Sequence, residues 1–336
     1  MKTDLFPFLF LSLLFTLFAG AVPAQLTGQK PVLTVLFYNA ENYFHPSDDT
    51  LTADDEFTPG GERHWTFARY HAKRSALAKI IYAAGSGGPP DITGLCEVEN
   101  RQVLEDLIRH PLLLPAGLRI LHHDSPDPRG IDIGVLYRPD RVKVLAWEHR
   151  PVVYGGSVLR TREIVRLTVR IPTGDTAEIF FNHWTSRYGG MAVTDEKRMA
   201  IVRQLAAWID SLETQSPGHL IIAGGDLNDG SDSGPVNELL SCGRGVERPA
   251  RLQEQWPGGA EGSYKYQGRW ELIDHVFTGG NTQGYRFAAS LFCLPVMLVP
   301  DEKFNGEKPF RTYTGFEYSG GFSDHLPLRL SVYRAD

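Results

Sequence analysis

Between Leu220 and Asp229 an apolar run, Leu220-Ile221-Ile222-Ala223, meets two glycines and then presents Asp226-Leu227-Asn228-Asp229. A run this short and this apolar, bounded by glycine, reads as a buried strand. In extended backbone, residues two apart share a face. Asp226 and Asn228 therefore look into one cleft, while Leu227 anchors the strand in the core. A carboxylate and a carboxamide at the exposed end of a buried strand suit a divalent metal, a phosphate and an attacking water. Taken alone, the segment reads more simply as a strand running into an Asp/Asn/Gly turn, because these are the commonest turn residues.

The pattern recurs. Pro31 to Tyr38 is β-branched and aromatic and delivers Asn39 and Glu41; Asp91 to Cys96 delivers Glu97 and Glu99; Ala177 to Phe181 ends in Asn182-His183-Trp184. Leu272 to Phe277 carries Asp274, and the chain closes on Ser323-Asp324-His325-Leu326-Pro327 before Leu328 to Leu330. Ile131 to Tyr137 and Glu163 to Arg170 are further strand-like runs separated by Pro, Gly and Asp turns. Three helices fall between the strands. Thr66 is an N-cap for Phe67, Tyr70, Leu77 and Ile81, with Gly85 closing the helix; Asn100 caps Val103, Leu104, Leu107 and Ile108; Thr194 caps Ile201, Leu205, Trp208 and Ile209. Strands with interspersed helices predict an α+β fold in which helices pack outside two facing sheets. The polar strand ends would gather at one rim, where loops commonly carry function.

The first residues stand apart. Met1-Lys2-Thr3-Asp4, an apolar stretch from Leu5 to Phe18, and Ala19-Gly20-Ala21-Val22-Pro23-Ala24 have the pattern of a secretory signal peptide cleaved after Ala24. The stretch is short for a membrane span. The expected mature protein is residues 25–336, one domain, exported to the periplasm or the medium, monomeric and not stably inserted in a membrane. Cys96, Cys242 and Cys293 make an odd count without CxxC spacing, so structural zinc is not expected and Cys96 is a small core residue. A net charge of −6 argues against a protein that coats nucleic acid with a basic surface, but not against an enzyme that meets phosphate with a metal cation.

The ordered set from Tyr38-Asn39-Ala40-Glu41-Asn42 through Gly225-Asp226-Leu227-Asn228 to Ser323-Asp324-His325-Leu326-Pro327 resembles the endonuclease/exonuclease/phosphatase superfamily. Asn182-His183-Trp184-Thr185-Ser186-Arg187-Tyr188-Gly189-Gly190 is similar to a secreted bacterial branch of nuclease type. The resemblance implies a four-layered α/β sandwich, with two mainly antiparallel sheets packed face to face between helices. It implies that Glu97, with Asn39 beside it and Asp324 opposite, holds magnesium, for which manganese can substitute. It implies further that Asp226 orients or deprotonates water, Asn228 holds a phosphate oxygen, Asp274 orients His325 against the scissile phosphate, and His183 assists the phosphate or leaving group.

The implied chemistry is coherent. Attack on an anionic phosphodiester needs cationic or hydrogen-bonding groups on the phosphoryl oxygens. Magnesium takes oxygen ligands and keeps several waters, so one or two carboxylates suffice to hold it. The expected substrate is nucleic acid, DNA or RNA, or another phosphodiester. An inositol-phosphate monoesterase is the alternative, although Leu272-Ile273-Asp274-His275 stands where that branch has a Trp-Cys-Asp-Arg type signature. A sphingomyelinase is another, permitted by His183 but lacking an obvious membrane hairpin. Glu41 is a steadying acid or a turn residue, and Glu99 a helix start. Arg129, Arg162, Arg166 and Arg187 could meet phosphates or serve structurally; Trp184 and Tyr188 could stack on a base or pack the rim. The acidic loop from His45 to Gly61 reads as solvated surface, with structural calcium an option despite spacing unlike an EF-hand.

Overall fold

The structure is a computed structural model and describes residues 29–187, 190–241, 252–257 and 261–335. The signal segment, Cys242 and Tyr188 lie outside the described residues. Twelve strands form the two large sheets. They are β1 (Leu33–Tyr43), β2 (Ile92–Val98), β3 (Arg119–His122), β4 (Asp132–Tyr137), β5 (Lys143–Arg150), β6 (Ile164–Arg170), β7 (Thr176–His183), β8 (Leu220–Asp226), β9 (Leu252–Glu254), β10 (Asp274–Gly280), β11 (Tyr285–Leu291) and β12 (Leu328–Arg334). The first sheet has the order β11-β12-β1-β2-β4-β3 and the second β9-β10-β8-β7-β6-β5. Each is mainly antiparallel with one parallel pair near its centre, β1/β2 in the first and β7/β8 in the second. A parallel pair needs a long crossover. Helix α1 (Phe67–Ala84) supplies it between β1 and β2, and α3 (Met191–Gln215) between β7 and β8.

Strand alternation sorts the side chains into layers. Leu33, Val35 and Phe37 join Ile92, Val135, Ile179, Phe181, Leu220 and Ile222 in the core between the sheets. The intervening Leu36, Tyr38 and Ala40 pack with Leu77 and Ile81 of α1 and with Val103, Leu104 and Leu107 of α2 (Arg101–Ile108). On the far side Ile221 and Ala223 pack with Leu205 and Trp208 of α3 and Val236 of α4 (Gly234–Ser241). The result is helices, sheet, sheet, helices, as expected. Burial of each large apolar side chain in these cores contributes roughly 1.5–3 kcal/mol. At Gly94 the sheets pack so tightly that a Cβ would sit 2.2 Å from the Phe181 ring. Phe181 fills that space and tilts against Phe37 at 5.4 Å.

Capping follows sequence chemistry in two of three helices. The Thr66 hydroxyl accepts from Arg69 N at 3.4 Å, and the Asn100 side chain accepts from Val103 N at 3.2 Å. Thr194 does not cap. The helix begins earlier, at Met191 after Gly190, and the Thr194 hydroxyl bonds back to the Gly190 carbonyl at 3.0 Å from within the first turns. A threonine hydroxyl that serves an interior carbonyl satisfies itself without ending a helix. Strand β1 also runs further than its apolar run, so Asn39 and Glu41 lie within it rather than after it.

Candidate active site

The two parallel pairs bring four strand ends to one rim. Asn39 pairs with Cys96 across β1/β2, and Asp226 with His183 across β8/β7. Strand β10 runs the other way beside β8, so its first residue, Asp274, lies opposite Asp226. The turn before β12 returns beside β1, where the Ser323 hydroxyl donates to the Asn39 carbonyl at 2.7 Å and fixes the following Asp324-His325.

Asn39 and Asp226 have the parity of the inter-sheet core, and they meet across it. Asn39 Nδ2 donates to Asp226 Oδ2 at 3.0 Å, and Asn228 N donates to Asp226 Oδ1 at 2.9 Å. His183 Nε2 lies 3.6 Å from Asp226 Oδ2 and 3.9 Å from Glu97 Oε1. His325 Nε2 lies 3.7 Å from Asp226 Oδ2, while its Nδ1 faces Asp274 Oδ2 at 2.7 Å. Asn39, His183, Asp226, Asp274 and His325 are all buried.

Backbone strain gathers at the same rim. Glu41, Asn42, Glu97 and Asn228 have φ of 52°, 52°, 60° and 52°. Left-handed backbone is costly for residues with a Cβ, and surroundings must impose it. At Glu97 its effect is visible. Simple alternation would send Glu97 to the helix side with Leu95, but a register shift follows Cys96 and Val98 takes that place in the helix-side core. The Glu97 carboxylate turns toward His183 and accepts from Asn42 N at 2.9 Å. Gly225 has φ of 133°, and a Cβ there would lie 2.0 Å from the Asn182 carbonyl, so only glycine lets β8 lie this close to β7.

Burial and neighbouring charge set the protonation pattern. For Asp226, burial together with the nearby Asp274 pushes the carboxyl up to about 6, against the pull of His325, Asn39 and Asn228 N. Burial opposes the charged form of His325, yet Asp274, Asp226 and Asp324 outweigh it and hold the imidazolium well above the usual histidine range. His183 goes the other way. Burial, with Arg162, Arg129 and His325 nearby, keeps it neutral, and its Nδ1 is buried without a hydrogen-bond partner. One cationic and one neutral imidazole thus flank a single carboxylate.

A profile of the Endonuclease/Exonuclease/phosphatase family matches residues 34–334. The chain belongs to this family. No curated protein sequence matches it. Among solved structures it is similar to the human Nocturnin catalytic domain with bound sulfate anion, at 14% identity and a TM-score of 0.59, covering 91% of this chain and 96% of that one. It is similar to a mannosyl-6-phosphatase of Bacteroides thetaiotaomicron, at 15% identity and 0.57, covering 89% and 99%. It is also similar to D. rerio TDP2 complexed with a single-strand DNA product, at 14% and 0.55, covering 89% and 98%. At these identities the likeness is one of fold, and the family is one of hydrolases acting on phosphate esters.

The remaining family-implied residues divide. Glu97 and Asp324 keep partly exposed carboxylates, with side-chain exposures of 15% and 23%, while their neighbours are buried. Their charges reach a common buried ammonium, Lys73. Two solvent-reaching carboxylates and an amide would make an all-oxygen donor set, a chemistry that fits a hard divalent ion that retains waters. Asp324 Oδ2 also contacts Arg311 Nη2 at 3.2 Å, and the Asn39 carboxamide oxygen accepts from Glu41 N at 2.9 Å.

Glu41 is neither a free acid nor a turn residue. It is buried, accepts from Thr312 N at 2.6 Å and lies 3.7 Å from Lys73 Nζ. Lys73 in turn donates to Thr312 Oγ1 and the Phe322 carbonyl, both at 2.6 Å, and so ties α1 to the segment before Ser323. Nothing in the sequence around Lys73 marks it. Glu99 does not start α2; it accepts from His45 N, and burial pushes its carboxyl up to about 8. Arg162 is committed to Asp127 and the Trp184 carbonyl, Arg166 to Glu148 and Glu178, and Arg187 to the Asn228 carbonyl and Glu271. Arg129 is exposed and donates to Asn42 Oδ1 at 2.7 Å. Trp184 is buried and packs the rim rather than offering a face for a base. In the acidic loop, Asp49 and Asp54 accept from Leu51 N and Asp49 N, and among the described residues no three of the loop's carboxylates converge as a metal would require. Two further residues complete the rim: the Tyr264 ring packs on His325 at 5.0 Å, with Arg311 5.9 Å above it.

Proposed function

We propose that residues 25–336 form the single catalytic domain of an exported, divalent-metal-dependent phosphodiesterase, a nuclease that cleaves DNA or RNA by attack of water. The observation that carries this reading is the convergence on Asp226 of Asn39, Asn228, His183 and His325, with His325 backed by Asp274 at 2.7 Å. Asp226 Oδ2 faces both imidazoles and accepts the proton of the attacking water. The His325 imidazolium donates from Nε2 to a phosphoryl oxygen and meets the charge that grows there. Neutral His183 can accept or relay a proton at Nε2 beside Glu97. Asn228 Nδ2, which donates to the Trp184 carbonyl at 3.1 Å, keeps a second N–H for a phosphate oxygen.

Glu97, Asp324 and Asn39 would hold the ion, proposed as magnesium with manganese as a substitute. When bound, it neutralises phosphoryl charge and stabilises the leaving oxygen. The fold shared with TDP2 in complex with a DNA product supports a nucleic-acid substrate, and the sulfate in Nocturnin marks a tetrahedral-anion site in that protein. A second reading, a phosphomonoesterase, is favoured by the likeness to the mannosyl-6-phosphatase. Among the described residues no helix is long and apolar enough to cross a membrane.

One panel decides. Purified protein, with and without chelator, is offered plasmid DNA, RNA, a chromogenic diester, a chromogenic monoester and sphingomyelin. Chelator-sensitive cleavage of nucleic acid and diester, with little of the monoester, is expected. Turnover of the monoester alone replaces the reading with the second one, and turnover of sphingomyelin alone with a sphingomyelinase.

A further inference from the structure

Three groups of metal-capable side chains lie among the described residues with all ligand atoms within 4.8 Å: Asp226-Asp274-His325, His122-Asp124-Asp132, and His123-His149-Glu163. The first is the candidate active site. The second is a satisfied hydrogen-bond network, in which Asp132 accepts from Ser125 N at 2.7 Å and faces His122 Nε2 at 3.0 Å. The third has no role in anything described above.

We propose that His123, His149 and Glu163 form a site for a transition-metal ion of the zinc class, which clasps the edge of one sheet to the edge of the other. Alternation places all three between the sheets. Leu121 and Trp147 pack against the inter-sheet core and Val165 belongs to it, and His123, His149 and Glu163 each stand two residues away. Strand β3 is the edge of the first sheet and β5 the edge of the second, on the same side of the sandwich. His123 follows β3, His149 is on β5, and Glu163 leads into β6, so the group spans the open seam.

The donor set is selective. The imidazole rings stack at 3.5 Å with an interplanar angle of 18°. Glu163 Oε2 lies 3.5 Å from His123 Nε2 and 2.7 Å from His149 Nδ1. That second approach lies off the N–H direction: His149 Nδ1 is sheltered from solvent yet makes no hydrogen bond. The Glu163 side chain is only 10% exposed. A carboxylate between two imidazoles repels a phosphate. It also offers two nitrogens and an oxygen, which suit zinc, copper or nickel rather than magnesium, and leaves a coordination position for water. Near-parallel rings cannot both aim a nitrogen at one ion, so one must turn. His123, with a 43% exposed side chain, has the room.

The test titrates zinc chloride into the purified chain under saturating magnesium, with calorimetry and with the visible spectrum of cobalt as a substitute probe. One zinc ion is expected to bind the wild type and the His183→Ala variant alike, and to raise the melting temperature of both. His123→Ala, His149→Ala and Glu163→Gln are each expected to weaken binding by about tenfold or more. They should also abolish the cobalt bands and the zinc-dependent rise in melting temperature. Should His149→Ala fail to fold, the exposed His123→Ala carries the test alone. Zinc binding that is unchanged in His123→Ala and His149→Ala, or that disappears in His183→Ala, overturns the proposal. Because the readout is binding under magnesium, its failure leaves the phosphodiesterase reading untouched.

Discussion

Two Asp–His pairs in this molecule look alike and do different work. His325 faces Asp274 at 2.7 Å and His122 faces Asp132 at 3.0 Å, and all four side chains are shielded from solvent. The difference is on the other side of the ring. The second nitrogen of His325 faces Asp226, which is buried between the sheets, whereas that of His122 faces Asp124, whose side chain is 85% exposed. Water screens an exposed carboxylate, and such a pair contributes little. A buried carboxylate is not screened, and its charge helps keep the His325 imidazolium. An Asp–His pair orients a ring. A site arises where the ring's free nitrogen is aimed at another reactive group in a place water does not own.

This contrast can be broken by mutation. The largest effect is expected from His325→Ala, which should lower kcat on a diester by about 10²–10⁴ while leaving the fold intact by circular dichroism. Near-normal turnover would remove His325 from the chemistry. Asp274→Asn comes next. It keeps the shape but no longer favours the imidazolium, so kcat should fall by about one to two powers of ten, with KM changed far less. His122→Ala is the control pair. It should leave kcat within about twofold but cost about 1–3 kcal/mol of stability, because Asp132 loses a buried partner. A thermal melt alongside the kinetics checks both parts, and a large loss of kcat would mean that the two pairs are not distinct.

The smallest effect concerns Asp226 in chelator-treated protein. Its carboxyl is raised from 3.8 to about 6, so the native state holds a proton that the unfolded chain has lost between those values. The stability Asp226 contributes is therefore full below the ordinary carboxylate range and is lost as pH rises through about 6. His325 stays protonated in both states over most of that window. Asp226→Asn should thus gain on the wild type as pH is raised from about 4 to about 6 and then hold a constant margin. Equal melting temperatures at every pH in that window would show that Asp226 is not strained.

Much of this was legible in the sequence because strands alternate. The same parity that put Val35 and Phe37 between the sheets put Asn39 there, and Leu220 and Ile222 did the same for Asp226. Where alternation breaks, legibility stops. No spacing rule foretells that Glu97 adopts a left-handed backbone and turns toward His183. The edge strands β5 and β11 lack continuous apolar runs, since no residue of either is fully buried, and were not visible as strands. Helix α4 hid in a glycine-rich stretch. The Lys73–Glu41 pair and the His123-His149-Glu163 group depend on contacts between distant segments that carry no local signature.

Gly94 has a consequence of its own. It carries no reactive group, yet the missing Cβ is what allows the Phe181 ring to lie against its backbone. The distance between the sheets is therefore gauged by the absence of one carbon atom, as a shim gauges a gap. The Asn39–Asp226 hydrogen bond closes across that gap, as does the His325–Asp274 contact, and the rim assembles from the two sheets through them. Gly94→Ala is expected to act as a wedge: a folded but less stable protein whose activity falls although every reactive group is present, with a smaller apolar side chain at position 181, Phe181→Leu, restoring part of it. The geometry of the rim is then a matter of tolerance in the engineering sense, held by a residue that carries no reactive group.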